Sequence, residues 1–471
     1  MRTIVRILSL SILVATAGIA VAAKKHPSAA SAAPAASAGT TQATVYKDSV
    51  AVHQAASATS PTVASLNKGS AVEVRQQQGL WFHIDAQPNA VGYVRINEIR
   101  LAQPAAGKGD GYAMFAGGHA KVSETAGVRG LTETDLRTAT MDEAALKQME
   151  SERADDAAAT AYADRMHLQR TDVAYKDEPG VGKGHRAPSA QSPEQQQAQQ
   201  QETHAAKAGV FSMIGGRIGL GGVSADSAAD ALPKSEQEKV DEETYMGPQV
   251  AGRMLGALPL WNDAQAQRRV NTIGRWVAMQ TPRDDLPWTF AVLDSNEVNA
   301  FAAPGGYVFM TRGLYDVLQS DDEVAAVLGH EISHVVARDH YNVIHKQALA
   351  SVAGGALWNK FGAHAAGNAF TQKLADYFAK QGATIFLTTF DKDVEYRSDA
   401  ASLVYIARAG YNPLAMYAVL QKLAAVSDGS GRLADLYKTH PSATDRLDAL
   451  DRKGFAEVEQ YADRPYVVGM R

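Results

Sequence analysis

The stretch SDDEVAAVLGHEISHVVARDH, residues 320–340, decides how the chain is read. Ser320 followed three positions later by Glu323 has the form of a capping box, so a helix is expected to start here. Val324, Leu328, Ile332 and Val335 then fall on one apolar face. In such a helix His330 and His334 stand one turn apart, about 40° from each other around the axis, and both can reach one ion. Glu331 is turned by about 100° from His330, which sets its carboxylate beside a water on that ion. Neutral imidazole is a good zinc ligand, and zinc brings the pKa of a bound water toward about 7, where a nearby carboxylate can take the proton. The pattern reads as the nucleophile-generating part of a zinc-dependent peptide hydrolase. The competing reading is a solvated helix with two surface histidines, and the capped start speaks against it.

A catalytic zinc needs a third protein ligand and an open position. His340 stands where the pattern HExxHxxGxxH would put a third histidine, but Ala337 replaces its glycine. With alanine there the helix is expected to run on, turning His340 about 120° away from His334. A better candidate lies in DKDVEYRSDAASLVYIARAGYNP, residues 391–413. Glu395 and Asp399 are four apart on an expected helix and share a face. Glu395 would complete a His, His, Glu set, and Asp399 would sit behind it and hydrogen-bond a ligand or the water.

Four segments in this order, NAFAAPGGYVFMTRGLYDVL, VLGHEISHVVARDH, EYRSDAASL and HPSATDRL, resemble the zinc metalloendopeptidases of the HtpX and CAAX-prenyl-protease family. The resemblance runs from near Glu242 to the end of the chain. It implies a zincin-type (gluzincin) domain and one Zn2+ per chain on His330, His334 and Glu395, with Glu331 as general base and Asp399 as a supporting acid. One departure matters. The integral-membrane members carry transmembrane helices, and this chain has no later segment apolar enough to span a bilayer. It resembles the soluble, exported branch, which weakens any carry-over of prenyl-protein or membrane-protein substrates.

Two further features bear on such a site. Asn299, Ala300 and Phe301 are read as an exposed edge strand that could pair with an extended substrate, against ordinary structural pairing. His440 precedes Pro441, so it ends an element or sits in a loop. It is read as a latch over the open metal position, or as a donor to the substrate oxyanion, with Arg446 anchoring the loop to a carboxylate such as Asp399. The bland alternative is a surface histidine.

The rest of the chain sets the context. At 471 residues, two or three domains are expected. A net charge of −5 gives no footprint for nucleic acid. MRTIVRILSLSILVATAGIAVA, residues 1–22, has the basic start, short apolar core and A-x-A end of a secretory signal peptide. The absence of cysteine excludes disulfides, thiolate metal sites and a lipid-bearing N-terminal cysteine. Together these point to a soluble periplasmic protein. Residues 23–43 read as a flexible Ala/Ser/Pro tether.

Residues 44–103 read as a small all-β unit of about five short strands. Its Leu66-x-x-Gly69 turn, Gly79-x-Trp81 pair and Gly92-Tyr93-Val94 resemble a bacterial SH3 domain, with Trp81 and Tyr93 expected in the core. That resemblance implies a role in holding cell wall or a partner protein. Residues 104–240 read as a solvated helical stretch, a Pro/Gln-rich linker at 186–209 and a flexible Gly-rich loop at 213–222. Residues 241–471 read as a helix-dominated α+β metallopeptidase domain. The expected architecture is therefore multidomain, an SH3-like barrel followed by that zincin-type domain. The expected function is a periplasmic zinc metalloendopeptidase acting on unfolded or misassembled envelope proteins, a protein quality control role. The alternative is a non-enzymatic envelope chaperone, or a cell-wall or partner-binding protein using the SH3-like domain.

Overall fold

Alternation at Val72, Val74, Phe82 and Ile84, each buried between more exposed neighbours, gives the period of two that builds strands. Seven form rather than about five: β1 (Thr41–Val45), β2 (Ser49–His53), β3 (Thr62–Asn67), β4 (Ala71–Gln78), β5 (Trp81–Ala86), β6 (Ala90–Arg95) and β7 (Ile99–Leu101). They join in the order β3-β2-β6-β5-β4-β1-β7. Gly69 and Gly79, at φ +85° and +58°, make the turns into β4 and β5. Trp81 and Tyr93 are not core residues as expected. The pleat that buries Phe82 and Val94 turns both to the other face, half-buried, where Trp81 meets His53 edge-on and Tyr93 stacks on His83.

The computed structural model describes residues 40–86, 90–102, 138–179, 236–344, 390–425, 436 and 440–469. The expected signal peptide, most of the tether, the 186–209 linker and the 213–222 loop lie outside them. No helix among the described residues is long and apolar enough to cross a membrane.

Within 138–179, α1 (Glu143–Ser151) and α2 (Asp156–Arg165) start at side-chain caps from Asp142 and Asp155. The expectation of a solvated stretch does not hold for them. Leu146, Met149 and Tyr162 are buried, and Tyr162 Oη donates to Asp321 at 2.7 Å.

Next come α3 (Glu236–Ala257) and α4 (Ala264–Ala278), then β8 (Thr289–Leu293), β9 (Ala300–Ala303) and β10 (Tyr307–Thr311). The short α5 (Arg312–Val317) leads to α6 (Asp321–Val336), and α7 (Lys392–Arg408), α8 (Leu414–Ala425) and α9 (Ala443–Ala449) follow. A π-helical turn, Leu450–Gly454, continues α9. The three-stranded sheet has the order β8-β10-β9, with β10 parallel to β8 and antiparallel to β9. Both faces are covered, so all fourteen strand residues are buried. Phe290, Val292, Ala300, Ala302, Val308 and Met310 face a core shared with α4 and α6. Ala291, Leu293, Phe301, Ala303 and Phe309 face α3 and α1.

Helix α6 is buried over its whole length, which leaves its polar ends to be satisfied by protein. At the start, Ser320 Oγ accepts from the Glu323 N–H at 3.0 Å. Glu323 accepts from the Gln319 N–H (2.7 Å), from Lys422 Nζ of α8 (2.7 and 2.8 Å) and from Tyr466 Oη (2.8 Å). Asp321 takes Arg269 Nε, and Asp322 takes the backbone N–H groups of Asn412 and Val467. At the far end Arg283, forked onto Glu243, donates to the Val335 carbonyl at 3.2 Å.

The all-β unit is docked on these helices, and its core is continuous with theirs. The buried Gln421 amide of α8 accepts from the Leu101 N–H and donates to the Ile96 and Ile99 carbonyls, at 3.2, 3.2 and 2.6 Å. Lys47 and Arg100 both pair with Asp451 in the π-helical turn.

Candidate metal centre

The packing of α6 on α7 brings the two motif histidines to the acidic helix. His330 Nε2 and His334 Nε2 face each other at 3.2 Å. Glu395 Oε2 is 3.5 Å from the first and Glu395 Oε1 is 3.6 Å from the second. A fourth group joins them, because His440 Nδ1 sits directly on Glu395 Oε2. One ligating atom from each of these four buried residues lies within 4.8 Å of the others.

The outward nitrogens of the two imidazoles are also held. His330 Nδ1 faces Asp399 Oδ1 at 2.8 Å, and Asp399 is gripped by Arg446 of α9 through Nε (2.9 Å) and Nη2 (2.6 Å). His334 Nδ1 faces Asp339 Oδ2 at 2.8 Å, and Arg397 Nη2 reaches the same oxygen at 2.5 Å. A carboxylate at Nδ1 holds a proton there and leaves Nε2 of each ring as the nitrogen that faces inward. Glu395 Oε1, fully buried, has no hydrogen-bond partner among the described residues. Two inward-facing imidazole nitrogens and an unpartnered carboxylate oxygen converging in a buried site are what a cation would satisfy. The donor set can hold a divalent metal such as zinc. Glu331 is buried on the same helix, and its charge is among those that Arg446 feels.

The titration behaviour of these groups follows from their neighbours. Burial would raise Asp399, but Arg446 and His330 hold it down at about 2. Burial also opposes the charge on Glu395, and His440, His330 and His334 nevertheless keep it well below the usual carboxylate range. For His330, burial and Arg446 disfavour the proton, while Asp399 and Glu395 outweigh them and raise it to about 9. Burial, then His334, lowers His340 to about 3.

Two expectations are corrected. The helix does not run on past Ala337. It ends at Val336, and Arg338 takes the left-handed φ of +59° that a glycine would usually supply. The chain therefore folds back, and His340 is buried near His334, with ring centroids 6.0 Å apart, yet outside the four-residue cluster. Strand β9 is the outer strand of its sheet, but Asn299, Ala300 and Phe301 are buried rather than exposed, because helices pack across both faces of the sheet.

Asp339 and Arg397 were not singled out from the sequence. On a continuing helix Asp339 would point about 140° away from His334. Its contact depends on the turn at Arg338, which no spacing rule announces.

Comparison with known proteins agrees with this geometry. A beta-barrel assembly-enhancing protease of Escherichia coli K12 is 29% identical over 236 residues, covering 48% of each chain. The protein of that name in Yersinia pestis is 29% identical over 220 residues, covering 45% of this chain and 44% of its own. The mitochondrial metalloendopeptidase OMA1 of Arabidopsis thaliana is 30% identical over 174 residues, covering 37% of this chain and 33% of its own. The chain spans about half the length of the bacterial relatives it matches. Residues 263–453, which contain all four clustered side chains, match the model of peptidase family M48, and over that span the chain carries an M48-family metalloprotease domain.

Proposed function

We propose that the chain is a zinc endopeptidase of the cell envelope that cuts unfolded or misassembled polypeptides. One observation carries the reading: two inward Nε2 atoms and the unpartnered Glu395 Oε1 of α7 converge on one point, and the helix that carries the two histidines also bears Glu331.

In this reading His330, His334 and Glu395 hold the metal. Bound there, zinc would supply Lewis acidity, which brings the pKa of a water toward about 7. Glu331 accepts the proton of the attacking water and returns it to the leaving amine. Asp399, fixed by Arg446, keeps the Nδ1 proton of His330 and so orients that ligand. An extended substrate pairs main chain to main chain along β9, the outer strand of its sheet, which favours unfolded chains over folded ones. His440 acts as a latch. Its support is its place against Glu395, within ligating reach of the same point as the two motif histidines.

The envelope setting draws on the leader-like residues 1–22 and on the bacterial relatives, whose name refers to β-barrel assembly. The unit over residues 44–103 serves as an SH3-like module that holds cell wall or a partner protein. The non-enzymatic alternative leaves Glu331 without a task.

The test is metal analysis joined to digestion of reduced casein, with and without a chelator. The wild-type chain should carry one zinc and digest casein only with it. Glu331→Gln should keep the zinc and lose about 10²–10⁴-fold in rate. An undiminished rate in that variant refutes the mechanism. His440→Ala should raise basal proteolysis if the residue is a latch and lower it if it is an oxyanion donor.

A further inference from the structure

We propose that Asp339 is a positioning residue for His334, held in place by Arg397 and delivered by the left-handed turn at Arg338. The proposal rests on the metal reading above and adds a second carboxylate–arginine pair to it. Asp399 and Arg446 serve His330 from α7 and α9. Asp339 and Arg397 serve His334 from the exit of α6 and from α7.

The geometry is specific. His334 Nδ1 has two polar neighbours, Asp339 Oδ2 at 2.8 Å and the Ser398 hydroxyl at 3.3 Å. The carboxylate is the closer and, being an acceptor only, fixes which nitrogen carries the proton. A hydroxyl could accept from or donate to that nitrogen, so on its own it would leave the tautomer open. Asp339 is buried, and Arg397 offers it the charge that burial otherwise lacks.

Arg397 lies two residues from Glu395 on α7, so the ion pair ties the segment leaving α6 to the helix that carries the third ligand. Arg338 is one of two non-glycine residues at positive φ among the described residues. Its guanidinium is pinned to Glu243 at 3.0 Å and to Glu236 at 2.6 Å on α3. A left-handed, side-chain-bearing residue held by two ion pairs, one residue before a carboxylate that meets a ligand, marks the turn as one the fold maintains for a purpose.

The experiment is a competition titration of zinc against a chromophoric chelator on the full chain, with the visible spectrum of the cobalt-substituted protein as second readout. Asp339→Ala should weaken zinc binding by about 10–100-fold and shift the cobalt bands. Arg397→Ala should weaken it less, and Arg397→Lys should recover part of that loss. Thermal unfolding of the metal-free variants separates the roles, because a merely structural ion pair would lower that midpoint and leave metal affinity alone. If Asp339→Ala does not fold, the near-isosteric Asp339→Asn decides. A folded variant with wild-type zinc affinity and cobalt spectrum overturns the proposal while leaving the metal site standing. A wild-type chain that takes no zinc overturns both.

Discussion

Gly329 precedes the first motif histidine on α6, and replacing it with alanine sets two effects against each other. Alanine in a helix interior is favoured over glycine by about 1 kcal/mol. Against that, a Cβ at this position would stand 2.8 Å from Ser402 Oγ and 3.2 Å from Ile406 Cγ2, both on α7. The hydroxyl cannot simply swing aside, since it donates to the Ala326 carbonyl at 2.8 Å inside the helix interface. Losing that bond and leaving a buried acceptor costs about 1–3 kcal/mol. If α6 moves instead, the overpacking costs about 1–3 kcal/mol. The middle of that packing range, about 2 kcal/mol, exceeds the propensity gain of about 1 kcal/mol, so Gly329→Ala should be destabilised by about 1 kcal/mol net. Any separation of α6 from α7 also widens the gap between His330 and Glu395, so zinc affinity should fall with stability. Urea unfolding of the metal-free protein reads the first effect and chelator competition the second. Ser402→Ala removes the obstructing atom, so in the double variant the loss should be smaller than the sum of the two single losses. A Gly329→Ala protein as stable as wild type, or more so, would refute the reasoning.

Lys422→Met removes one partner of a fully buried ion pair with Glu323 and should cost about 3–5 kcal/mol in urea unfolding. Gln421→Leu strips the Leu101 N–H of its buried acceptor and should cost about 1–3 kcal/mol by the same assay. Removing metal by chelation should lower the melting temperature, and added zinc should restore it in a concentration-dependent way. Burial raises Asp322 from an ordinary 3.8 to about 8, the N–H groups of Asn412 and Val467 offsetting only part of it. The folded chain then keeps a proton that the unfolded chain has lost, so this contribution is full below about pH 4 and is lost as the pH rises toward 8. Unfolding midpoints across that window should be flatter for Asp322→Asn than for wild type.

Much of the site was legible because its parts repeat over short spacings. His330, Glu331 and His334 share one helix, and Glu395 and Asp399 share another, so helical geometry alone puts each set on a common side. Asp339 was hidden because a single backbone angle, at Arg338, decides whether the residues after the second histidine leave the metal or return to it. The docking of the all-β unit was hidden for a different reason. Gln421 and Lys422 look like the solvated edge of the helix LAMYAVLQKLAA, yet both are buried, one on strand backbone and the other on a carboxylate. Burial of that kind is set by partners 99 to 325 residues away in sequence, and periodicity carries no record of them. The strand count and the outward turn of Trp81 and Tyr93 belong to the same class, since register rather than composition chooses the face.

The first turn of α6 makes a demand on the order of assembly. Its acidic groups are satisfied by Tyr162, Arg269, Asn412, Lys422, Tyr466 and the Val467 N–H, segments that lie up to 159 residues upstream and 145 downstream. Contacts so distant in the chain close late in folding, after the loops between them have been gathered. The histidines sit on a helix whose start stays unsatisfied until that gathering is done, and Arg446 must then arrive from 116 residues beyond His330. The clustered histidines thus depend on contacts far apart in the chain, and a half-folded copy should present the motif without the side chains that surround it in the folded protein.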